Sequence, residues 1–162
     1  MSPSLTLLIP TRSTSLDSTA SIPEAVLSST LLFRVGGATY GCDIAATQEI
    51  IPLRPMTRVP GAPAYVRGLI NMRGTIVTVL DLAARLDPTS VPVVEGSILL
   101  LRYRDRLVGV VVEEVVDLRM LEIDDGDTTQ RGGTIVRGMA TLDDAPVVVL
   151  DLDALIKQVL LS

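Results

Sequence analysis

Between Tyr65 and Leu82 the chain runs Tyr-Val-Arg-Gly-Leu-Ile-Asn-Met-Arg-Gly-Thr-Ile-Val-Thr-Val-Leu-Asp-Leu. Apolar β-formers flank Asn71, Arg73 and Gly74, so the pattern predicts two strands joined by a tight turn, with Gly and Asn taking up positive φ cheaply. Thr75 to Leu80 is almost continuously apolar or β-branched, so both of its faces should be covered by protein. The exposed part is then the turn, with Arg73 as a long cation at its tip. The same pattern returns: Val136-Arg137-Gly138-Met139 stands against Val66-Arg67-Gly68-Leu69, a spacing of 70, and Val147 to Leu152 stands against Val77 to Leu82. Upstream, Leu100-Leu101-Arg102 stands against Leu32-Phe33-Arg34. Such recurrence reads as one β-rich unit used twice. At the second turn Thr141-Leu142-Asp143-Asp144 replaces Asn71-Met72-Arg73-Gly74, so the packing positions recur and the turn chemistry does not.

Other elements follow from the same reading. Thr30 to Val35 and Ala38 to Cys42 should pair across Gly36-Gly37, after which Asp43 caps a short helical turn from Ile44 to Ile50, ended by Pro52, with Glu49 on it or just after it. Pro52 to Pro63 is an extended surface connection. A short helix over Ala83 to Leu86 is capped by Asp81 and stopped at Asp87-Pro88. Ser97 to Tyr103 pairs with Leu107 to Val112, Val115 to Met120 forms a third strand, and Asp124 to Asp127 is an acidic turn. Ile135 to Thr141, Ala145 to Leu150 and a helix from Asp153 to Leu160, capped by Asp151 or Asp153, complete the chain. Residues 1–28, rich in Ser and Thr, are expected to be a flexible tail. The expected domain is 29–162, in halves of roughly 30–86 and 94–152.

Composition narrows the function. At 162 residues and 48% hydrophobic content the chain can bury a substantial core. A net charge of −5 with 2% aromatics disfavours nucleic acid. There is no histidine, which removes the commonest general base and metal ligand and the phosphoacceptor of a histidine kinase. The single cysteine, Cys42, cannot form an internal disulfide. No apolar run approaches the ~20 residues that span a bilayer, and no basic region precedes Leu5 to Ile9, so a cytoplasmic protein without membrane insertion is expected.

Leu31 to Gly37, Tyr40-Gly41-Cys42-Asp43-Ile44, Gln48-Glu49-Ile50 and above all Val66 through Asp81-Leu82, with its Asn-Met-Arg-Gly hairpin, carry a resemblance. From about Thr30 to Leu161 the chain resembles the CheW-like family of chemosensory adaptors. The resemblance implies an all-β fold with a few short helices: two small five-stranded SH3-like β-barrels packed together. It implies a non-catalytic adaptor, without cofactor or metal, that joins the cytoplasmic tip of methyl-accepting chemotaxis receptors to the CheW-like regulatory domain of the histidine kinase CheA, recruited to membrane-bound receptor arrays. Arg73 matches the family's functional arginine and Glu49 its functional glutamate, a pair expected to bridge across the first barrel. Thr47, Asn71, Met72 and Gly74 complete the expected partner-binding set. Thr47 stands where a larger aliphatic is usual and Met72 where leucine is frequent, which bears on partner choice more than on fold.

The alternative, a small acidic-site hydrolase on a β-barrel, rests on Glu113, Glu114 and the carboxylates at Asp124, Asp125 and Asp127. It is the weaker reading, because neighbouring Glu113 and Glu114 should face opposite sides of a strand and the acidic turn lacks calcium-loop spacing. Arg102, Arg104 and Arg106 alternate and should line one solvated strand face.

Overall fold

Four two-residue turns, each with positive φ, punctuate the computed structural model, which describes residues 25–124 and 135–161. They are Gly36-Gly37 (φ 60° and 82°), Arg73-Gly74 (52° and 87°), Arg104-Asp105 (56° at Arg104) and Asp143-Asp144 (50° and 67°). Each closes a hairpin: β1 (Ala25–Val35) with β2 (Ala38–Asp43), β4 (Val66–Met72) with β5 (Thr75–Asp81), β6 (Ser97–Tyr103) with β7 (Arg106–Val112), and β9 (Val136–Leu142) with β10 (Ala145–Leu150). β3 (Thr47–Pro52) and β8 (Glu114–Asp124) stand outside the hairpins. Two helices, α1 (Leu82–Leu86) and α2 (Leu152–Leu161), follow β5 and β10.

The strands form two five-stranded sheets. The first, in the order β9-β10-β2-β1-β8, closes on itself as a barrel; the second, β3-β6-β7-β5-β4, is not closed by a ladder between β3 and β4, but the bridge from Thr57, in the connection after β3, to Leu69 of β4 draws it into a second, partial barrel. The all-β, double five-stranded architecture with short helices is therefore present. Its partition differs from the expected halves 30–86 and 94–152. Each sheet combines the first hairpin of one repeat with the last three strands of the other, joined by the parallel pairs β10 with β2 and β5 with β7. Strand periodicity specifies which face is buried, not which repeat supplies the neighbour, so the exchange was invisible along the chain.

Alternation places the core. Ile98 and Leu100 fill the second barrel with Ile70, Met72, Val77 and Val79, while Leu99 and Leu101 point the other way into a core shared with Leu31, Phe33, Leu80 and Leu150. Leu32 belongs to the first barrel's own interior with Ile123, Val147 and Val149. Both helices are anchored on the shared core by Leu82, Leu152, Leu155 and Ile156. Each is capped by an aspartate at the strand-to-helix junction, the last residue of β5 and the first after β10: Asp81 Oδ1 accepts from Ala84 N–H at 3.2 Å and Asp151 Oδ1 from Ala154 N–H at 3.0 Å.

Three expected elements change. Asp43 does cap a helical turn, its Oδ1 accepting from Ala45 N–H at 2.9 Å, but that turn is a 3-10 turn ending at Ala46. Thr47–Pro52 is a strand alternating half-buried and exposed, because β6 offers it a backbone ladder that one helical turn cannot match. Strand β1 also begins before the expected domain start at Ser29, since Ala25 to Ser28 pairs with Leu121 to Asp124 of β8. Residues 1–24 and most of the expected acidic turn, 125–127, lie outside the described residues. Finally, Arg102, Arg104 and Arg106 do not share a strand face: Arg104 sits in the turn, 5.4 Å over the Tyr103 ring, while Arg102 donates to Gln48 at 2.8 Å.

Candidate functional site

Asn71 prepares the β4–β5 tip. Its Oδ1 accepts from Gly74 N–H at 2.9 Å, a side-chain turn that supports the two positive φ values, and its carbonyl accepts from Arg54 Nη2 at 3.3 Å. Arg73 then reaches back from this fixed tip to β3. Its Nη1 and Nη2 donate to Glu49 Oε1 and Oε2 at 3.1 and 2.9 Å, a bidentate fork on one carboxylate. The hydrogen bonds from Arg73 hold the Glu49 carboxyl below the usual carboxylate range, and Glu49 raises the Arg73 guanidinium above its ordinary value.

The place of this pair in the topology matters more than its strength. β3 and β4 are the outer strands of the second sheet, so the ion pair ties one sheet margin to the other. A second tie is the Thr57–Leu69 bridge, with N–H to carbonyl distances of 3.0 and 2.8 Å. Gly68 makes this approach possible: a Cβ there would lie 2.7 Å from Thr57 O. The Arg73 side chain is 72% exposed and that of Glu49 34%. A pair this wet adds little to fold stability. It does fix the direction of a flexible cation that water alone would leave free.

The structure thus brings Arg73, Glu49, Asn71 and Gly74 together, while Met72 and Thr47 stand apart. Met72 is buried in the second barrel beneath the tip, where its Sδ receives Arg54 Nη1 at 3.4 Å. Thr47 is half-buried, with Oγ1 3.9 Å from Cys42 Sγ; burial pushes that thiol up to about 11. Two positions were missed in the sequence. Ile76, opposite Asn71, is 61% exposed and Ile50, beside Glu49, is 41% exposed. Apolar residues at outward-facing strand positions were the available signal.

Two of the acidic candidates, Glu113 and Glu114, are engaged locally. Glu113 accepts from Gly37 N–H at 3.4 Å, and Glu114 lies 4.0 Å from Arg34, both beside the β1–β2 hairpin. Among the described residues no helix is long and apolar enough to cross a membrane.

Comparison with known proteins finds relatives in both sequence and fold. The chain is 31% identical over 132 residues to the chemotaxis protein CheW of Rhizobium meliloti (strain 1021), covering 76% of this chain and 84% of the relative. It is 35% identical over 89 residues to the chemotaxis protein CheW of Bacillus subtilis (strain 168), 54% of this chain and 57% of that one. The fold matches the crystal structure of the scaffolding protein TtCheW from Thermoanaerobacter tengcongensis with a TM-score of 0.68 at 22% identity, over 83% of this chain and 91% of that one. A model of the CheW-like domain family matches residues 29–160, and the chain belongs to that family.

Proposed function

We propose that this protein is a chemosensory adaptor that couples methyl-accepting chemoreceptors to the histidine kinase CheA, by binding the receptor's cytoplasmic tip and the kinase's CheW-like regulatory domain together. The observation that carries this reading is the clasped tip: Arg73 displayed in water, its direction fixed by Glu49, on a rigid barrel of the CheW-like family. Such a site does its work by geometry. The fold supplies pre-ordered side chains, so the binding free energy of one partner is not spent on ordering the loop, and the second partner meets a surface already set. We place the protein in the cytoplasm, held at membrane receptor arrays by its partners.

The test is reconstitution. Mixed with receptor fragments and CheA, the protein should cosediment with the complex and change kinase phosphorylation; the absence of both effects would defeat the adaptor reading. Arg73→Ala and Glu49→Ala should each weaken partner binding by about tenfold or more while leaving the thermal melt unchanged. A melt lowered as by a core mutation, with binding intact, would assign the pair to the fold instead.

A further inference from the structure

Beneath the clasped tip, the connection after β3 and the segment after α1 enclose an open cleft of about 400 Å³, lined by Arg54, Arg58, Arg67 and Asp81 together with prolines including Pro55 and Pro88. Its charges do not balance. Asp81 is 4% exposed and already committed, with one oxygen 3.5 Å from Arg67 Nη1 and the other accepting from Ala84 N–H. Arg67 is committed as well, since its second amino group donates to the Val93 carbonyl. Arg54 donates only to neutral acceptors, Met72 Sδ and the Asn71 carbonyl. Arg58 is exposed. Among the described residues no carboxylate lies within ion-pair distance of Arg54 or Arg58.

Two uncompensated guanidiniums in one concavity create a local positive potential on a chain whose net charge is −5. The proline rings on the wall have no N–H to donate, so donation falls to the arginines, whose planar forks match carboxylates. Through its bonds to Asn71 and Met72, Arg54 also joins the cleft to the hairpin tip. We propose that this cleft is a docking site for an acidic segment of a protein partner, with Arg54 and Arg58 each receiving a carboxylate. The inference rests on the adaptor reading for its partner being a protein, and it adds where that partner's acidic side chains go. A long polyanion such as nucleic acid would be repelled by the rest of the chain.

The experiment compares the full chain with the double variants Arg54→Glu/Arg58→Glu and Arg54→Lys/Arg58→Lys, each shown folded by circular dichroism. A fluorescein-labelled glutamate-rich peptide is the first probe. It should bind the wild type, weaken steeply between about 0.05 and about 0.3 M salt, weaken by about tenfold or more with the Glu variant, and fall between with the Lys variant. Equal binding to wild type and Glu variant, no binding to either, or full displacement of the peptide by inorganic phosphate alone would overturn the proposal. The second probes are the CheA regulatory domain and a receptor-tip fragment, and the Glu variant should weaken one of them by a similar factor. If both bind the Glu variant as they bind the wild type, the cleft proposal fails and the adaptor reading stands. If neither binds the wild type while the peptide still discriminates, the adaptor reading fails and the acidic-ligand cleft stands.

Discussion

The two repeats build the same hairpin twice and finish it differently. β4–β5 and β9–β10 share a bulge after their first residue, at Val66/Gly68 and Val136/Gly138, and both turns carry two positive φ values. The outer strand beside each hairpin also matches. Glu49 of β3 lies across from Leu100 beside a bulge, and Asp117 of β8 lies across from Leu32 beside another. At one tip the pair is Arg73 with Glu49, and a fork forms. At the β9–β10 tip Asp143 takes the place of Arg73, and Asp117, the counterpart of Glu49 in register, is also an acid; Asp117 lies 3.6 Å from Arg119 and accepts from the Leu118 N–H at 2.8 Å. Backbone geometry therefore does not require the clasp. The same two-residue turn forms with two aspartates, which leaves the tip side chains available for recognition, and of these two tips the β4–β5 tip carries a pre-ordered cation.

The largest way to break this comparison acts on the seam under the clasped tip. Gly68→Ala would push a Cβ against the Thr57 carbonyl at a position with φ 154°. Stability should fall by roughly 2–4 kcal/mol in chemical denaturation, and an unchanged midpoint would remove the seam from the account. The comparison sharpens at the other tip. There, Asp143→Asn with Asp144→Gly supplies residues that accept positive φ and removes two adjacent like charges, so stability should rise by about 1 kcal/mol with partner binding unchanged. A loss of binding would mean that the unclasped tip is also a contact.

The smallest effect is electrostatic. The folded-state pKa of Glu49 is depressed by Arg73, so the pair's contribution is complete above the ordinary glutamate value and is lost as pH falls through the lower folded value. A carboxyl titration by NMR should place the Glu49 midpoint below the ordinary value, and Arg73→Ala should return it there. A Glu49 midpoint unmoved by that substitution would mean that the fork does not persist in solution.

Much of this was legible in the chain. Turn residues at Gly36-Gly37 and Arg73-Gly74, the Asp81 cap, one of the two caps open for the last helix, Asp151, and the doubled pattern 70 residues apart appear in the structure where their chemistry placed them. What escaped was decided at long range. β3 read as helix because Asp43 is a good cap and the strand's ladder partner, β6, lies about fifty residues on. Ala25 to Ser28 read as tail because the short apolar run Ala25-Val26-Leu27 ends a Ser/Thr-rich stretch, yet their backbone pairs with β8. The exchange of hairpins between repeats depends on two parallel pairings that no local pattern encodes. As for the clasp, Glu49 and Arg73 are 24 positions apart, so the resemblance named the pair and spacing could not.

The measurement closest to the centre of this account is the affinity of Arg73→Ala and Asp143→Ala, side by side, for the CheA regulatory domain and for the receptor tip. The account predicts that Arg73→Ala loses about tenfold or more with at least one partner while Asp143→Ala stays within about twofold of wild type with both. Equal losses from the two variants, or no loss from Arg73→Ala, would contradict it.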